Sequence, residues 1–326
     1  MGQQDALPII LKGLKRLEYR GYDSAGVALL DQRGLSIYKK KGKVAELENH
    51  LAENGEIHAK VGIGHTRWAT HGEPNDINAH PHYSSSERFA MIHNGIIENY
   101  EVLKKDLIKK GYTFQSETDT EVFVKFIEDI YQHNGCSLEE ALRLALHKVV
   151  GAYAIVLINL EEPNTLIAAR KGSPLVIGVG EGEYFFASDA TPIIEYTNKV
   201  VYLDDYEIAV VRNGELQIKT IENVATNPYI NQLEMELEVK VGRGFCPGDE
   251  NKNVDQAIGV IAIDPTSPFN YGSLLGDRLR MSEHFSNTSV FIRSLATRGS
   301  LGGLSAKTIE VADVMKASGF DYIFIE

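Results

Sequence analysis

From Ala152 onward the apolar residues fall into short runs with a period of two: Ala152 to Asn159, Leu166 to Arg170, Leu175 to Gly180, Tyr184 to Ser188, Val200 to Leu203 and Glu207 to Val211. Successive side chains of a strand point to opposite faces, so each run reads as a half-buried strand. Asn213-Gly214 then precedes Leu216 to Ile221, which predicts a tight hairpin, because both central residues of such a turn need positive φ. Ahead of this block Leu7, Ile10, Leu11, Leu14 and Leu17 recur at helical spacing, behind Asp5 as a cap and before Gly21 as a stop, predicting a helix over about 6–19. Strands are predicted at Ser24 to Leu30, closed by a turn at Gln32-Arg33-Gly34, and at Val61 to Thr66 and Phe89 to His93. Helices are predicted at 44–53, 99–110, 120–133 and 138–149. Strands, then helices, then many strands predict an α+β fold with two sheets packed face to face.

The grammar changes after Glu238. An acidic, helix-like stretch from Gln232 to Glu238 runs into the Gly/Pro segment Gly242 to Asp249, which reads as a linker. Beyond it Ile258 to Ile263, Val290 to Ser294 and Tyr322 to Ile325 are short apolar runs separated by helical stretches at about 276–285 and 305–318. That alternation belongs to a parallel α/β sheet. The expected organisation is therefore a first domain over 1–238, a linker over 239–257 and a partial α/β unit over 258–326.

Composition narrows the partners. A formal net charge of −12 argues against nucleic acid, whose binding rests on clustered Lys and Arg. The densest basic run, Lys39-Lys40-Lys41 with Lys43, reads as a solvated turn. Two cysteines, Cys136 and Cys246, are too few for a disulfide framework and fit a reducing cytoplasm. The first apolar stretch, Ala6 to Leu17, carries Lys12, Lys15 and Arg16 at helical spacing, so it reads as an amphipathic helix, with no signal or membrane segment expected.

The chemistry lies in His65-Thr66-Arg67-Trp68-Ala69-Thr70-His71-Gly72, His93-Asn94-Gly95 and Glu117-Thr118-Asp119. The planar Arg67 guanidinium can hold a carboxylate through two parallel bonds, and Asp119 can pair with an α-ammonium. The Asn94 amide and the Gly95 N–H could together stabilise an oxyanion. Taken singly, each residue also has an ordinary reading: a surface ion pair for Arg67, a turn for Asn94-Gly95, a helix cap for Asp119.

These motifs, with Leu17 to Ala28, Asn78-Ala79-His80-Pro81-His82, His93 to Asn99 and Ser116 to Glu121, closely resemble the glutaminase domain of glutamine–fructose-6-phosphate aminotransferase. That domain is a class II, N-terminal-nucleophile amidotransferase with a four-layer αββα sandwich, and the resemblance covers about residues 2–238. It implies that Arg67 binds the carboxylate of glutamine and Asp119 its amino group. Trp68, Thr70 and His71 would shape the pocket, and Asn94 and Gly95 would form the oxyanion hole. Arg20, Tyr22 and Asp23 would lie beside the nucleophile, and Lys171-Gly172-Ser173-Pro174 would form a loop near the second sheet. No metal or cofactor is implied; the spacings of His65, His71, His80, His82 and His93 match no usual zinc pattern.

In that family the nucleophile is a cysteine directly after the initiator Met, with its own α-amino group as base, at the head of a short apolar strand. Here the sequence reads Met1-Gly2-Gln3-Gln4-Asp5, and neither Cys136 nor Cys246 could replace a nucleophile that carries its own base. Removing such a nucleophile costs about 10⁶ in turnover, and lacking the strand would weaken folding, so the expectation is a sandwich without its first strand and without glutamine hydrolysis. The family's isomerase domains have no counterpart after 238. The tail is instead similar to the P-loop GTPases associated with methylmalonyl-CoA mutase, through Gly259 to Phe269, Leu275-Gly276-Asp277-Arg278 with Arg280-Met281, Phe291-Ile292-Arg293-Ser294 with Arg298-Gly299, and Leu301-Gly302-Gly303-Leu304. Asp264 would then sit near the nucleotide's Mg²⁺ and Glu326 would open the next loop. A G-x-x-x-x-G-K-[ST] loop, which cradles phosphates, does not occur. The sequence thus fits the glutaminase lineage, a module that holds glutamine without cleaving it, or the non-functional product of a joined gene; a GTP-binding fragment fits least. No motif bears on oligomeric state.

Overall fold

The strand block folds as its alternation predicts, and its longest ladder pairs Gly151–Asn159 with Phe89–Ile97 residue by residue from Phe89↔Asn159 to Ile97↔Gly151. The computed structural model describes residues 1–18, 21–68, 72–232, 258–264, 290–296, 316 and 322–325. They fall into two compact units, Met1–Glu18 with Tyr22–Glu238, and Tyr19–Gly21 with Val239–Glu326.

In the first unit, in chain order, helix α1 is Ala6–Leu17, and β1 (Ser24–Asp31) and β2 (Gly34–Lys41) form a hairpin. Helix α2 (Val44–Ala52), β3 (Val61–Arg67), β4 (His82–Tyr83) and β5 (Phe89–Ile97) follow. Three helices come next, α3 (Tyr100–Lys109), α4 (Asp119–Asn134) and α5 (Leu138–Leu146). The strand block comprises β6 (Gly151–Asn159), β7 (Thr165–Lys171), β8 (Val176–Val179), β9 (Tyr184–Ala187), β10 (Lys199–Tyr202), β11 (Glu207–Arg212), β12 (Glu215–Thr220), β13 (Ala225–Thr226) and β14 (Asn231–Gln232). Three sheets result, with orders β2-β1-β3, β14-β10-β8-β9 and β13-β12-β11-β7-β6-β5-β4.

The layers follow from which face each side chain buries. Ala25, Val27 and Leu29 of β1 pack with Leu14 of α1 and Val44, Leu47 and Leu51 of α2, while Ala28 and Leu30 turn the other way. There they meet Ile63, Ala154, Val156, Ile158, Leu166, Ile177 and Val201, the core between the sheets. The far face of the seven-stranded sheet offers Ile155, Leu157, Ile167 and Met91 to Phe123 and Ile127 of α4 and Leu138 and Leu142 of α5. Helices, sheet, sheet, helices is the four-layer αββα sandwich, with the sheet under α1 and α2 standing as two pieces that end on β3 and β9.

The turn at Asn213-Gly214 has φ of 51° and 82°, the positive pair that its sequence demands. Thr118 caps α4 by accepting the Glu121 N–H, and Gly135, at φ 58°, stops it. Two sequence expectations are corrected. Lys39, Lys40 and Lys41 are not a solvated turn but the end of β2, paired with Gly26, Ala25 and Ser24. The alternating Leu35 and Ile37 reach the inter-sheet core, and that burial outweighs the charge of the run. Asp5 precedes α1 without a side-chain cap bond; its carboxylate lies 2.8 Å from His58 Nδ1 instead.

In the second unit β15 (Ile258–Asp264), β16 (Val290–Ala296) and β17 (Tyr322–Ile325) make a parallel sheet of order β16-β15-β17. That is the parallel geometry expected of the tail, since parallel neighbours require crossover connections. The helical stretches expected at 276–285 and 305–318, the linker and the acidic stretch lie outside the described residues, save helical Lys316 and Gln232 of β14.

Phe123 is fully buried among the outer helices and the seven-stranded sheet. Phe123→Ala should therefore lower the unfolding free energy of the first unit by about 3–5 kcal/mol, read as a lower midpoint in urea at unchanged m-value.

Candidate functional site

The ends of β3 and β5 and the start of α4 converge, and the motif residues ride on them. Arg67 closes β3 beside Ser24 of β1, with its side chain only 4% exposed. Its Nη2 donates to the Gly72 carbonyl at 3.3 Å, and its Nη1 lies 3.7 Å from Asp23 Oδ1. Burial pulls the guanidinium pKa down while Asp23, Asp119 and Glu117 hold it up, so an arginine that would ordinarily be solvated sits inside, ringed by carboxylates.

Asp119 is the first residue of α4 and is buried. Its Oδ2 accepts the Ile97 N–H at 2.8 Å and lies 3.9 Å from His93 Nδ1, which ties the helix start to the end of β5. A carboxylate there also faces the positive end of the helix dipole. Asn94 and Gly95 are not a turn: they lie inside β5, opposite Ala154 and Tyr153, and both are exposed. Gly95 has φ of 129°, and a Cβ at this position would run into the Ala152 carbonyl, so only glycine fits.

Behind Asn94 lies a group that sequence reasoning assigned no role. His65, His80, His82 and His93 are all buried. The rings of His65 and His80 stack at 4.5 Å, and those of His80 and His82 meet edge-on at 4.8 Å. His65 Nε2 lies 2.9 Å from Asn94 Oδ1; with the oxygen accepting, the imidazole donates and leaves the Asn94 NH₂ for another acceptor. Thr120 Oγ1 lies between His80 Nε2 at 2.8 Å and His93 Nδ1 at 3.1 Å, and Thr118 Oγ1 lies 3.0 Å from His82 Nε2. Burial brings the His65 pKa down to about 4. It drives those of His80 and His82 well below the ordinary value, helped by neighbouring imidazoles and Arg67. These rings are neutral at pH 7. The signal was present in the sequence as the His-Pro-His and His-Asn-Gly spacings, but only packing brings them into one cluster.

Of the other predicted site residues, Trp68 is 40% exposed, directly after the end of β3, and Asp23 donates its N–H to the Arg67 carbonyl at 2.7 Å. Tyr22 is half-buried. Arg20, Thr70 and His71 lie outside the described residues, as do Cys246, Glu326 and the side chain of Asp264. The Lys171–Pro174 loop leaves β7 next to the start of β6: Gly172 bridges to Tyr153, and its N–H donates to Asp205 at 2.9 Å. Cys136 lies before α5, against the core of the outer helices, with its thiol pKa raised by burial. Among the described residues no group of His, Cys, Asp and Glu is arranged to hold a metal ion, and no helix is long and apolar enough to cross a membrane.

A family model for the glutamine amidotransferase domain matches residues 65–195, and one for the methylmalonyl Co-A mutase-associated GTPase MeaB matches residues 250–326. Glutamine–fructose-6-phosphate aminotransferase (isomerizing) from Bacteroides thetaiotaomicron is 59% identical over 239 residues, 73% of this chain and 39% of that protein. The enzyme of the same name from Chlorobaculum tepidum is 53% identical over 247 residues, 75% and 40% of the two chains. That of Geobacillus kaustophilus is 39% identical over 330 residues, 99% and 54%. The chain thus spans between about two fifths and about half the length of these relatives. Among solved structures, a glutamine phosphoribosylpyrophosphate amidotransferase from B. subtilis, complexed with ADP and GMP, superposes with a TM-score of 0.59 at 21% identity, covering 90% of this chain and 64% of its own. A structure described as the allosteric regulatory enzyme of purine biosynthesis does so at 0.60 and 18%, covering 100% and 78%. The structural likeness establishes the fold, and the first unit resembles the glutaminase domain of glutamine–fructose-6-phosphate aminotransferase.

The buried imidazoles make the site acid-sensitive. A folded-state pKa held below the unfolded value favours the neutral ring, so its stabilisation is complete above the ordinary 6.5 and is lost as pH falls toward about 4 for His65, worth about 3 kcal/mol. The thermal midpoint should drop between pH 7 and 5. His65→Gln, whose amide has nothing to protonate, should flatten that slope.

Proposed function

We propose that the first unit is a glutamine-binding domain whose pocket lies between Arg67, Asp119 and the Asn94-Gly95 segment. The glutamine carboxylate takes the Arg67 guanidinium in place of its looser contact with Asp23, and the α-ammonium takes Asp119. The side-chain carbonyl of glutamine then points toward the Asn94 NH₂ and the Gly95 backbone, where charge develops if a thiolate attacks. Trp68, Thr70 and His71 line the rim in this reading, with Arg20, Tyr22 and Asp23 at the attacking side. The observation that carries it is the burial of Arg67 among Asp23, Asp119 and Glu117. A buried cation needs paired charge, and this cluster is matched to a ligand that carries one charge of each sign.

Hydrolysis needs a nucleophilic thiol at the Asn94 end, and Cys136 is placed in the other core. Binding without cleavage is therefore the second reading, favoured by the lack of a thiol among the described pocket residues. Passage of the released nitrogen to fructose 6-phosphate, which the names of the relatives describe, belongs in our proposal to a longer assembly. Residues 239–257 are proposed as a linker and 258–326 as a partial GTPase-like α/β unit.

Titration calorimetry with L-glutamine tests the pocket. Arg67→Ala should weaken binding by about thirtyfold or more, equivalent to about 2 kcal/mol, and Arg67→Lys should recover only part of it because the paired bonds are lost. Equal affinity in the Arg67→Ala variant would place glutamine elsewhere. Ammonia release, measured separately, divides hydrolysis from binding alone.

A further inference from the structure

Asn78, which opens the Asn78-Ala79-His80-Pro81-His82 motif, is only 2% exposed, and its amide uses both donors and its acceptor. The Nδ2 hydrogens go to the Glu73 carbonyl at 3.0 Å and to Glu117 Oε2 at 3.1 Å. Its Oδ1 accepts the Glu117 N–H at 3.0 Å. Asn78 and Glu117 therefore hold each other twice, once through the carboxylate and once through the backbone. The same carboxylate oxygen accepts the Glu73 N–H at 3.3 Å, and the Asn78 N–H is itself tied to Asn75 Oδ1 at 2.7 Å. A polar network whose members are all bonded is rigid and admits one arrangement.

Gly72 is pressed against this pair. A Cβ there would strike Asn78 Nδ2 and Glu117 Oε2, and its φ of 76° is one that glycine adopts without strain. The Gly72 carbonyl accepts Arg67 Nη2 at 3.3 Å. On the other side Glu117 directly precedes Thr118, the cap of α4, and stands two residues ahead of Asp119. One pair of side chains thus meets both the partner of Arg67 and the loop that leads to Asp119. A planar guanidinium gives a carboxylate two parallel bonds only when the two groups are coplanar. A carbonyl that pins one nitrogen of the fork therefore decides whether both bonds can form.

We propose that Asn78 and Glu117 are positioning residues of the ligand pocket, which present the Gly72 carbonyl to Arg67, set the rotation of its guanidinium and fix its spacing from Asp119. The inference rests on the reading of Arg67 and Asp119 as the clamps for the two charges of glutamine. Neither Asn78 nor Glu117 touches the ligand in it. Glu117 acts chiefly as an acceptor of hydrogen bonds; its charge reaches Arg67 less strongly than those of Asp23 and Asp119.

Calorimetry with L-glutamine on the intact chain supplies the first test. Asn78→Ala and Glu117→Ala should each weaken binding about tenfold, the value of a lost bond. Glu117→Gln, which keeps an oxygen able to accept both bonds, should recover to within about threefold, the remainder reflecting a weaker bond to a neutral oxygen. In an Arg67→Ala background Asn78→Ala should change affinity by less than about twofold, because it acts through the guanidinium. Nitrogen-15 NMR of the guanidinium groups gives a readout without ligand: rotation of Arg67 about Nε–Cζ should be faster in Asn78→Ala than in the unaltered chain. Should Asn78→Ala not fold, Glu117→Ala, at an exposed position, carries the same expectations. A Glu117→Gln variant as weak as Glu117→Ala would overturn the proposal, since charge would then be what matters. So would an Asn78→Ala loss of the same size without Arg67, or unchanged rotation of the guanidinium. If the unaltered chain takes up no glutamine, the reading of the pocket fails, and the rotation of Arg67 alone decides whether the pair positions it.

Discussion

Everything in the first unit depends on the dry core between the two sheets. Ala28, Leu30 and Ile63 from one side interlock with Val156, Ile158 and Leu166 from the other, at the packing density of a crystal. That contact fixes β3 over β5 and thus lets His65, on one sheet, reach Asn94, on the other, at 2.9 Å. Where the apolar layer ends, the space between the sheets is filled by imidazoles. Burial keeps those of His65, His80 and His82 neutral, and the hydroxyls of Thr118 and Thr120 supply polar partners to His80, His82 and His93. The imidazole cluster is the polar rim of a hydrophobic core.

The second fixed point is the start of α4. Thr118 caps the helix, Asp119 reaches back to the Ile97 N–H, and Glu121 holds the preceding loop through the Ser116 N–H at 2.6 Å, itself paired with buried Lys125 at 2.7 Å. Such a buried pair adds little net stability but costs heavily if broken, so it fixes geometry more than it adds strength. A one-residue slip of the helix would take Asp119 away from β5 and leave Arg67 without one of its compensating charges.

Much of this was legible in the sequence. The period-two runs placed the strands within a residue or two, and Asn213-Gly214 fixed its hairpin, since both depend on local backbone preference. The failures share a cause. The strand expected over Phe89 to His93 runs on through Asn94-Gly95 to Ile97, because the ladder to β6 supplies bonds that outweigh the local turn preference of Asn-Gly. Lys39 to Lys41 read as solvated, yet they pair with β1; Lys39 Nζ donates to the Ile77 carbonyl at 3.0 Å, and Lys40 meets Asp76 at 3.2 Å. Long-range pairing decided both cases, and a local pattern carries no record of its partner.

The sequence by itself determined the lineage of the first unit and its alternation of helices and strands, because residue order and periodicity encode them directly. Only the tertiary structure decided that Arg67 is buried and ringed by carboxylates, and that four buried histidines share one cluster in which burial holds His65, His80 and His82 neutral. Burial and desolvation arise from residues distant in the chain and close in space, so no spacing along the sequence could state them.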